Sequence, residues 1–167
     1  MGQIHGIIAC NLTINMESSR MLVSEIMTKG VKTANEDTSV RVIANVMCLN
    51  NISGLPIIDS DNNIVGIVSE KDLLRKMFPD MQEIADEGRP DFEDMEKKYA
   101  DALDLTAKDI MTSPVSSVTS DMPIMKAASL MCINTIRRIP VVDDGKVVGI
   151  VSIGDVHKAI FQNTLAM

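Results

Sequence analysis

Apolar and polar positions along this chain follow two periods, one typical of helices and one typical of buried strands. Two sets of apolar residues share the helical spacing i, i+3, i+4 and i+7: Val40, Ile43, Ala44 and Met47, then Ile124, Ala127, Ala128 and Met131. Each set predicts a helix with one apolar stripe. Thr38 can cap the first helix, and Pro123 suits the first turn of the second.

Short apolar runs after each predicted helix indicate strands. LPIID precedes a polar turn and IVGIVS, and IPVVD precedes a turn and VVGIVS, so each half predicts a hairpin of buried strands. The pattern is an internal duplication, because GIVSEKD at Gly66 returns as GIVSIGD 83 residues later, at Gly149. The tripeptide IMT likewise occurs at 26–28 and again at 110–112.

The duplication predicts an α/β fold of α+β character, built from two β-α-β-β-α repeats. About fifty residues make a marginal core alone, so we expect the two repeats to pack together around a pseudo-twofold axis. The predicted boundaries are an N-terminal tail at 1–22, repeat 1 at 23–77, an insert at 78–106, repeat 2 at 107–161 and a C-terminal tail at 162–167.

The insert between the repeats is strongly acidic. Residues 78–106 contain ten Asp or Glu and three Lys or Arg, so they carry the whole formal charge of −7, and the rest of the chain has thirteen residues of each sign. One helical stripe of apolar residues lies within it: Phe92, Met95, Tyr99 and Leu103. We expect a surface helix docked on the repeats, with a partner-binding or lid role as the alternative.

Composition narrows the function classes. Four aromatic residues and a net charge of −7 argue against a nucleic-acid partner, and the apolar run at 7–10 is far too short to span a membrane. Three cysteines, Cys10, Cys48 and Cys132, form no paired pattern, which favours a reduced cytoplasmic setting. Cys48 and Cys132 occupy equivalent helix positions and are predicted to be small buried residues.

Catalysis has little support in the sequence. His5 and His157 are the only histidines, and they suggest neither a metal cluster nor a Ser-His arrangement. We therefore predict no catalytic residues, no metal site and no required cofactor.

The repeated strings S-x-x-D, at Ser69–Asp72 and Ser152–Asp155, allow two interpretations. They match a capping box, in which Ser and Asp satisfy free N–H groups at a helix start. They also suit a nucleotide, because a helix N-terminus attracts phosphate and an aspartate can accept from both ribose hydroxyls. Capping alone does not require the GIV that precedes each string.

Together these strings resemble the paired cystathionine β-synthase (CBS) domain, or Bateman module. The resemblance covers about Val23 to Ile160 and rests on IMT, LPIID or IPVVD, and GIVS-x-x-D, each present twice in the same order. Similar modules bind AMP, ADP, ATP or S-adenosylmethionine, and some have no known ligand. The resemblance implies a regulatory module that senses an adenosine-containing ligand, and not an enzyme.

The resemblance also implies two clefts related by the pseudo-twofold axis. In the Asp155 cleft, Asp155 would hold the ribose, an arginine would reach the phosphates, and two threonines would approach from the other repeat; its residues are Thr28, Thr33, Arg137, Arg138, Pro140, Ser152 and Asp155. The Asp72 cleft would comprise Ser53, Pro56, Ser69, Asp72, Thr112 and Ser117. Ser53 and Gly54 stand where the Asp155 cleft has its arginines, so we expect weaker phosphate binding there.

Similar modules pair through exposed helices, and here Leu73, Leu74 and Met77 would suit a homodimer interface. Two alternatives to nucleotide sensing remain open. The chain could be an interaction scaffold with degenerate clefts, whose acidic insert contacts a protein effector. It could also sense S-adenosylmethionine.

Overall fold

Each half of the chain forms a small sheet covered by helices. The computed structural model describes residues 21–76, 78 and 91–165. The first half contains α1 (Val23–Ile26), β1 (Ala34–Asn35), α2 (Val40–Asn50), β2 (Gly54–Ile58), β3 (Ile64–Ser69) and α3 (Glu70–Arg75). The second half contains α4 (Phe92–Ala102), α5 (Ala107–Ile110), α6 (Ile124–Ile133), β4 (Arg138–Asp143), β5 (Lys146–Ser152) and α7 (Ile153–Leu165).

The predicted hairpins are confirmed. β2 pairs antiparallel with β3, β4 pairs antiparallel with β5, and each hairpin carries an irregularity at the equivalent place, Ile57/Ile58 or Val141/Val142. β1 lies parallel to β2, with Ala34 opposite Ile57. In repeat 2 the matching strand is reduced to one parallel bridge between Val118 and Val141.

The predicted helix stripes also form the cores. The first core lies between α2, β2 and β3 and includes Val40, Ile43 and Met47, each 3% exposed or less. The second core lies between α6, β4 and β5 and includes Ile124, Ala127 and Met131, all fully buried. The two alanines of the stripes, at 44 and 128, pack beside these residues as half-buried neighbours.

The two repeats exchange their first segments. Val23 of α1 is fully buried in the second core, whereas Ala107 and Ile110 of α5 belong to the first core. We call residues 23–28 and 107–112 the exchanged segments. Each repeat therefore depends on the other for part of its own core. This agrees with the prediction that the two repeats pack together.

Backbone hydrogen bonds fix the exchange. Thr28 N donates to Ile150 O at 2.9 Å and Ile150 N returns a bond to Thr28 O at 3.0 Å. Thr112 N and Ile67 O form the equivalent pair at 2.9 Å, and Ile67 N donates to Thr112 O at 3.1 Å. Each IMT tripeptide thus adds one antiparallel bridge to the sheet of the opposite repeat.

The same exchange explains the glycine in each GIVS string. A Cβ atom on Gly66 would lie 2.3 Å from Met111 Sδ, and one on Gly149 would lie 2.5 Å from Met27 Sδ. Both methionines belong to the exchanged segments. The repeated glycine therefore leaves room for a methionine of the other repeat, which is a packing role independent of capping or ligand binding.

The insert contributes a docked surface helix, as expected. Asp91 caps α4 by accepting from Glu93 N at 2.9 Å and from Asp94 N at 3.2 Å. Met95 is buried, and Tyr99 and Leu103 pack against the first core, but Phe92 is 73% exposed. The predicted stripe therefore holds for three of its four residues.

The cap predictions for the two long helices were wrong by one position. Ser39 caps α2, with its Oγ accepting from Val42 N at 3.4 Å, while Thr38 Oγ1 accepts from Asn35 N at 3.0 Å and closes the preceding turn. Pro123 is the N-cap residue of α6 and not part of its first turn.

The burial predictions failed at three side chains. Cys48 and Cys132 are exposed, because each follows the buried methionine of its stripe and one helix position turns a side chain by about 100°. Leu73 is only 6% exposed and packs in the first core, so it cannot form part of a dimer surface. Met77, also predicted there, lies outside the described residues.

Candidate functional site

Both S-x-x-D strings form capping boxes. At α3, Asp72 Oδ2 accepts from Ser69 N at 2.8 Å and from Ser69 Oγ at 2.5 Å. At α7, Asp155 Oδ2 accepts from Ser152 N at 2.9 Å and from Ser152 Oγ at 2.6 Å. In each box a single carboxylate oxygen accepts both bonds, so the structural interpretation of the strings is correct and a second oxygen remains for other contacts.

A third box lies outside the repeated string. Thr106 N and Oγ1 donate to Asp109 Oδ2 at 2.9 and 2.7 Å at the start of α5. This box has no GIVS before it. It therefore separates the capping role of such an aspartate from any role in a cleft.

The first residue of α7 and the first residue of α3 each donate a backbone hydrogen bond to equivalent residues, Arg137 in repeat 2 and Ser53 in repeat 1. Ile153 N donates to Arg137 O at 3.0 Å, and Arg138 lies opposite Ser152 in the hairpin register. Glu70 N donates to Ser53 O at 3.2 Å in repeat 1. The arginine pair is thus placed beside the Asp155 box by the backbone of its own repeat.

The exchanged segments bring a threonine from the other repeat to each string. Thr112 Oγ1 donates to Asp72 Oδ1 at 3.3 Å. Thr28 is paired through its backbone with Ile150, two residues before Ser152. The structure therefore places Thr112 in contact with the Asp72 box, and it places Thr28 beside the strand that leads to the Asp155 box.

Thr33 and Ser117 lie farther along, against the sheets of their own repeats. Thr33 precedes Ala34, which pairs with Ile57, and Thr33 lines an open pocket of about 230 Å³ between β1 and α2. Ser117 precedes Val118, whose N–H donates to Pro140 O at 3.0 Å. Thr33 and Ser117 therefore lie next to the sheets of their own repeats, whereas Thr28 and Thr112 pair with the opposite repeat.

Pro56 and Pro140 are equivalent residues in the middle of their hairpin strands. Pro56 lies opposite Ile67 and Pro140 opposite Ile150, and both prolines are buried. Ile67 and Ile150 are the residues that bridge to the exchanged segments. The prolines therefore lie one strand away from the threonines of the two clefts.

Arg138 reaches across the boundary between the repeats. Its Nη1 donates to the Oγ of Ser53, which aligns with Arg137 in the duplication. The sequence assigned Ser53 to the Asp72 cleft and Arg138 to the Asp155 cleft, yet the structure joins the two side chains. No periodicity or motif signals such a contact, because it depends on how the repeats face each other.

Backbone donors lower the pKa of three other carboxyl groups. The backbone N–H of Thr106, followed by its hydroxyl, lowers the pKa of Asp109, and the backbone N–H of Asn63 does so for Asp59. The backbone N–H of Ser120, at 3.0 Å, followed by its hydroxyl, lowers the pKa of Asp143. Asp59 and Asp143 are equivalent in the duplication, but Asp59 closes its own turn and Asp143 holds a segment before α6.

The described residues contain neither a metal-binding cluster nor a membrane-spanning helix. No group of three or more His, Cys, Asp or Glu side chains within them is placed to hold a metal ion. Over the same residues, no helix combines the length and apolar character needed to cross a membrane.

Comparison with known proteins gives a consistent result. The family model for the CBS domain matches residues 23–79 and 107–162. Among curated proteins, an uncharacterized protein of Methanocaldococcus jannaschii, MJ1426, is 32% identical over 161 residues, which cover 88% of this chain and 95% of that protein.

Three solved structures show the same fold. CBSX2 from Arabidopsis thaliana, a CBS-pair protein, is 28% identical with a TM-score of 0.72, covering 86% of this chain and 96% of that one. A structure of CBSX2 in complex with AMP is 29% identical with a TM-score of 0.67, covering 86% and 98%. The CBS domain pair of protein MJ0100, in complex with 5′-methylthioadenosine and S-adenosylmethionine, is 29% identical with a TM-score of 0.65 and the same coverage.

The family match covers both halves of the duplication, and the structural matches cover most of the chain. The mixed α and β architecture predicted from the sequence is therefore confirmed. This chain belongs to the CBS domain family and carries two copies of that domain.

Proposed function

We propose that this chain is a regulatory module that binds an adenosine-containing nucleotide of the AMP, ADP or ATP class in the Asp155 cleft. The observation that carries the proposal is the fixed carboxylate of Asp155 at the start of α7. Ser152 holds its Oδ2 through two bonds, so Oδ1 is the oxygen that ribose hydroxyls would contact. The AMP complex of CBSX2 supports the choice of ligand class.

The phosphate of such a ligand would meet positive charge from two sources. Arg137 and Arg138 lie at the start of β4, beside Ser152 in the register, and both side chains are exposed. The N-terminus of α7, a helix of 13 residues, adds a partial positive charge. The Asp72 cleft has Ser53 and Gly54 at the matching positions, so we propose it as a second, weaker site.

The proposal is for binding without catalysis and without a required cofactor. The one histidine in the described part of the chain, His157, stacks on Phe161 with ring centroids 6.4 Å apart.

Isothermal titration with AMP tests the proposal on three proteins: wild type, Asp155→Ala and Asp109→Ala. Both variants remove the carboxylate of a capping box, but only Asp155 belongs to a cleft. We expect AMP affinity to fall by tenfold or more in Asp155→Ala and to stay unchanged in Asp109→Ala, since hydrogen bonds to a charged group contribute about 1.5–3 kcal/mol. Equal AMP binding by Asp155→Ala and wild type would contradict the proposal.

S-adenosylmethionine is the second candidate ligand, supported by the MJ0100 complex. It contains the same ribose and adenine, but its sulfonium group is positive where a nucleotide is negative. Arg137 and Arg138 would repel that group, which favours AMP, ADP or ATP. A titration series with AMP, ADP, ATP and S-adenosylmethionine decides between them, and tighter binding of S-adenosylmethionine would reverse the order.

An interaction scaffold is the alternative from another class. Its supporting observation is α4, where Phe92 is 73% exposed and Glu93 and Glu96 are exposed on the same helix. Such a surface suits a basic protein effector with an apolar contact. Thermal shift separates the two functions, because a ligand at 100 times its Kd should add about 2.7 kcal/mol, whereas a scaffold should show no shift with any adenosine compound.

We also propose a homodimer in a reduced cytoplasmic setting. Several apolar side chains on exposed helix faces suit a partner copy: Leu49, Leu74, Ile133 and Phe161 are 45–77% exposed. Cys48 and Cys132 are free thiols in the described structure, which fits a reducing compartment. Light scattering after size exclusion should show a dimer that Leu74→Glu weakens, and a monomer at high concentration would contradict it.

A further inference from the structure

Arg138 reaches across the boundary between the repeats, and this has a consequence for both clefts. Arg138 aligns with Gly54, so repeat 1 has no arginine at the position where repeat 2 has one. The Arg138 side chain nevertheless extends to Ser53, beside that glycine. The Arg138 guanidinium thus lies between the Asp155 capping box of its own repeat and Ser53, the residue before β2 of the other repeat.

The charge of Arg138 is available to a ligand. The side chain is exposed, and the ion pairs found between described residues are Arg41 with Asp104 and Lys98 with Asp94. The contact with Ser53 is to a neutral hydroxyl. A phosphate entering on either side would therefore meet a guanidinium whose charge no described carboxylate neutralises.

We propose that Arg138 is one phosphate-binding group shared by the two clefts, so that the chain binds one phosphate-bearing nucleotide tightly and a second one poorly. This inference rests on the proposed function. A nucleotide in the Asp155 cleft draws the guanidinium away from Ser53 and engages it. A second nucleotide in the Asp72 cleft then binds without an arginine and beside a negative group.

The chemistry makes the coupling specific to phosphate. A phosphate monoester carries a charge of about −1.5 to −2 near pH 7, so two of them on one guanidinium leave a net negative site. Adenosine has the same ribose and base without that charge. The two clefts should therefore be coupled for AMP and independent for adenosine.

The backbone at Gly54 permits a direct test. A Cβ atom there would meet only Val68 O, at 3.6 Å, which is an ordinary contact, and Gly54 is not among the glycines with positive φ. Gly54→Arg therefore supplies the missing arginine of the Asp72 cleft without forcing the strand apart. Gly54→Gln is the matched control, since it adds a long polar side chain without charge.

The experiment is isothermal titration with AMP and with adenosine on wild type, Gly54→Arg and Gly54→Gln. Wild type should show one tight AMP site and a second at least tenfold weaker, and the ratio between the two sites should be smaller for adenosine, which lacks the phosphate. Gly54→Arg should tighten the second AMP site by about tenfold and leave adenosine unchanged. Gly54→Gln should behave as wild type.

Each contrary outcome has one meaning. Two AMP sites in wild type that differ no more than the two adenosine sites, or equal effects of Gly54→Arg and Gly54→Gln, would overturn the shared arginine while leaving nucleotide binding in the Asp155 cleft intact. Binding of neither ligand to wild type would overturn the proposed function itself. Should Gly54→Arg fail to fold, Arg138→Ala serves instead: it should weaken AMP about tenfold and leave adenosine unchanged, and an equal loss for both ligands would contradict the inference.

Discussion

The two capping boxes share a string, a hydrogen-bonding pattern and a threonine from the opposite repeat, yet their surroundings differ. Asp72 is 9% exposed and its Oδ1 already accepts from Thr112. Asp155 is half-buried, and Thr28 is positioned beside its box through the backbone. The two copies therefore differ outside the duplicated string. The differences lie in the residues before Pro56 and Pro140 and in the contacts made by the opposite repeat.

The largest expected effect comes from removing each aspartate in turn. Asp155→Ala should weaken tight AMP binding by about 10- to 100-fold, because two hydroxyl contacts to a charged acceptor are lost. Asp72→Ala should leave that tight site unchanged, since its carboxylate belongs to the other cleft. Isothermal titration measures both, and equal losses in the two variants would show that the clefts do not differ as described.

The two GIVS glycines offer a second comparison, in stability. At Gly149 an added Cβ would lie 2.5 Å from Met27 Sδ and 3.1 Å from the backbone Thr28 O, whereas at Gly66 its close neighbours are atoms of the Met111 side chain. A flexible side chain can move and a paired backbone cannot. Gly149→Ala should therefore cost about 1–3 kcal/mol, and Gly66→Ala less.

Paired substitutions check that reason. In a Met111→Ala background, Gly66→Ala should cost little further stability, while in a Met27→Ala background Gly149→Ala should keep part of its cost because the contact with Thr28 O remains. Urea denaturation of the single and double variants gives these values. Additive losses in both pairs would contradict packing between the exchanged segments and the glycines.

Periodicity predicted the parts of the fold that depend on local pattern. The stripes from Val40 and Ile124 and both hairpins were predicted correctly, because a helix or strand with one buried face has apolar residues at the period of that element. The one-position error at Thr38 and Ser39 reflects two hydroxyl residues in succession, either of which can cap. The exposure of Cys48 and Cys132 was missed because a small apolar residue beside a stripe gives no sign of its side.

The exchanged segments could not be predicted from pattern alone, although the resemblance implied that threonines approach each cleft from the opposite repeat. α1 and α5 have four residues each, too few for a period, and nothing local to Val23 or Ala107 says which sheet covers it. The repeated methionine of IMT and glycine of GIVS were both visible, but their contact is a tertiary fact. The link from Arg138 to Ser53 was hidden for the same reason.

Equivalent aspartates after the LPII and IPVV strands give the smallest expected effect. The pKa of Asp59 and of Asp143 is lowered from 3.8 by backbone N–H donors. A carboxyl group with a lowered pKa stabilises the fold above the unfolded value and loses that contribution as pH falls through the folded value. The stabilising contribution of both carboxylates should therefore be complete above about pH 4 and be lost as the pH falls below it.

Asn substitutions at the two positions test this sign. Asp143→Asn and Asp59→Asn should each be less stable than wild type at pH 7 and should lose less stability than wild type between pH 4 and pH 2. Thermal unfolding across that range measures the difference. An unchanged acid dependence in both variants would contradict the role given to these carboxylates.

We propose that Asp155 holds the ribose of an adenosine nucleotide while Arg138 binds its phosphate. A crystal structure of the protein with AMP tests it most directly. It should show the ribose hydroxyls within hydrogen-bonding distance of the Asp155 carboxylate and the Arg138 guanidinium moved from Ser53 to the phosphate. AMP bound elsewhere, or bound with Arg138 still on Ser53, would contradict the account.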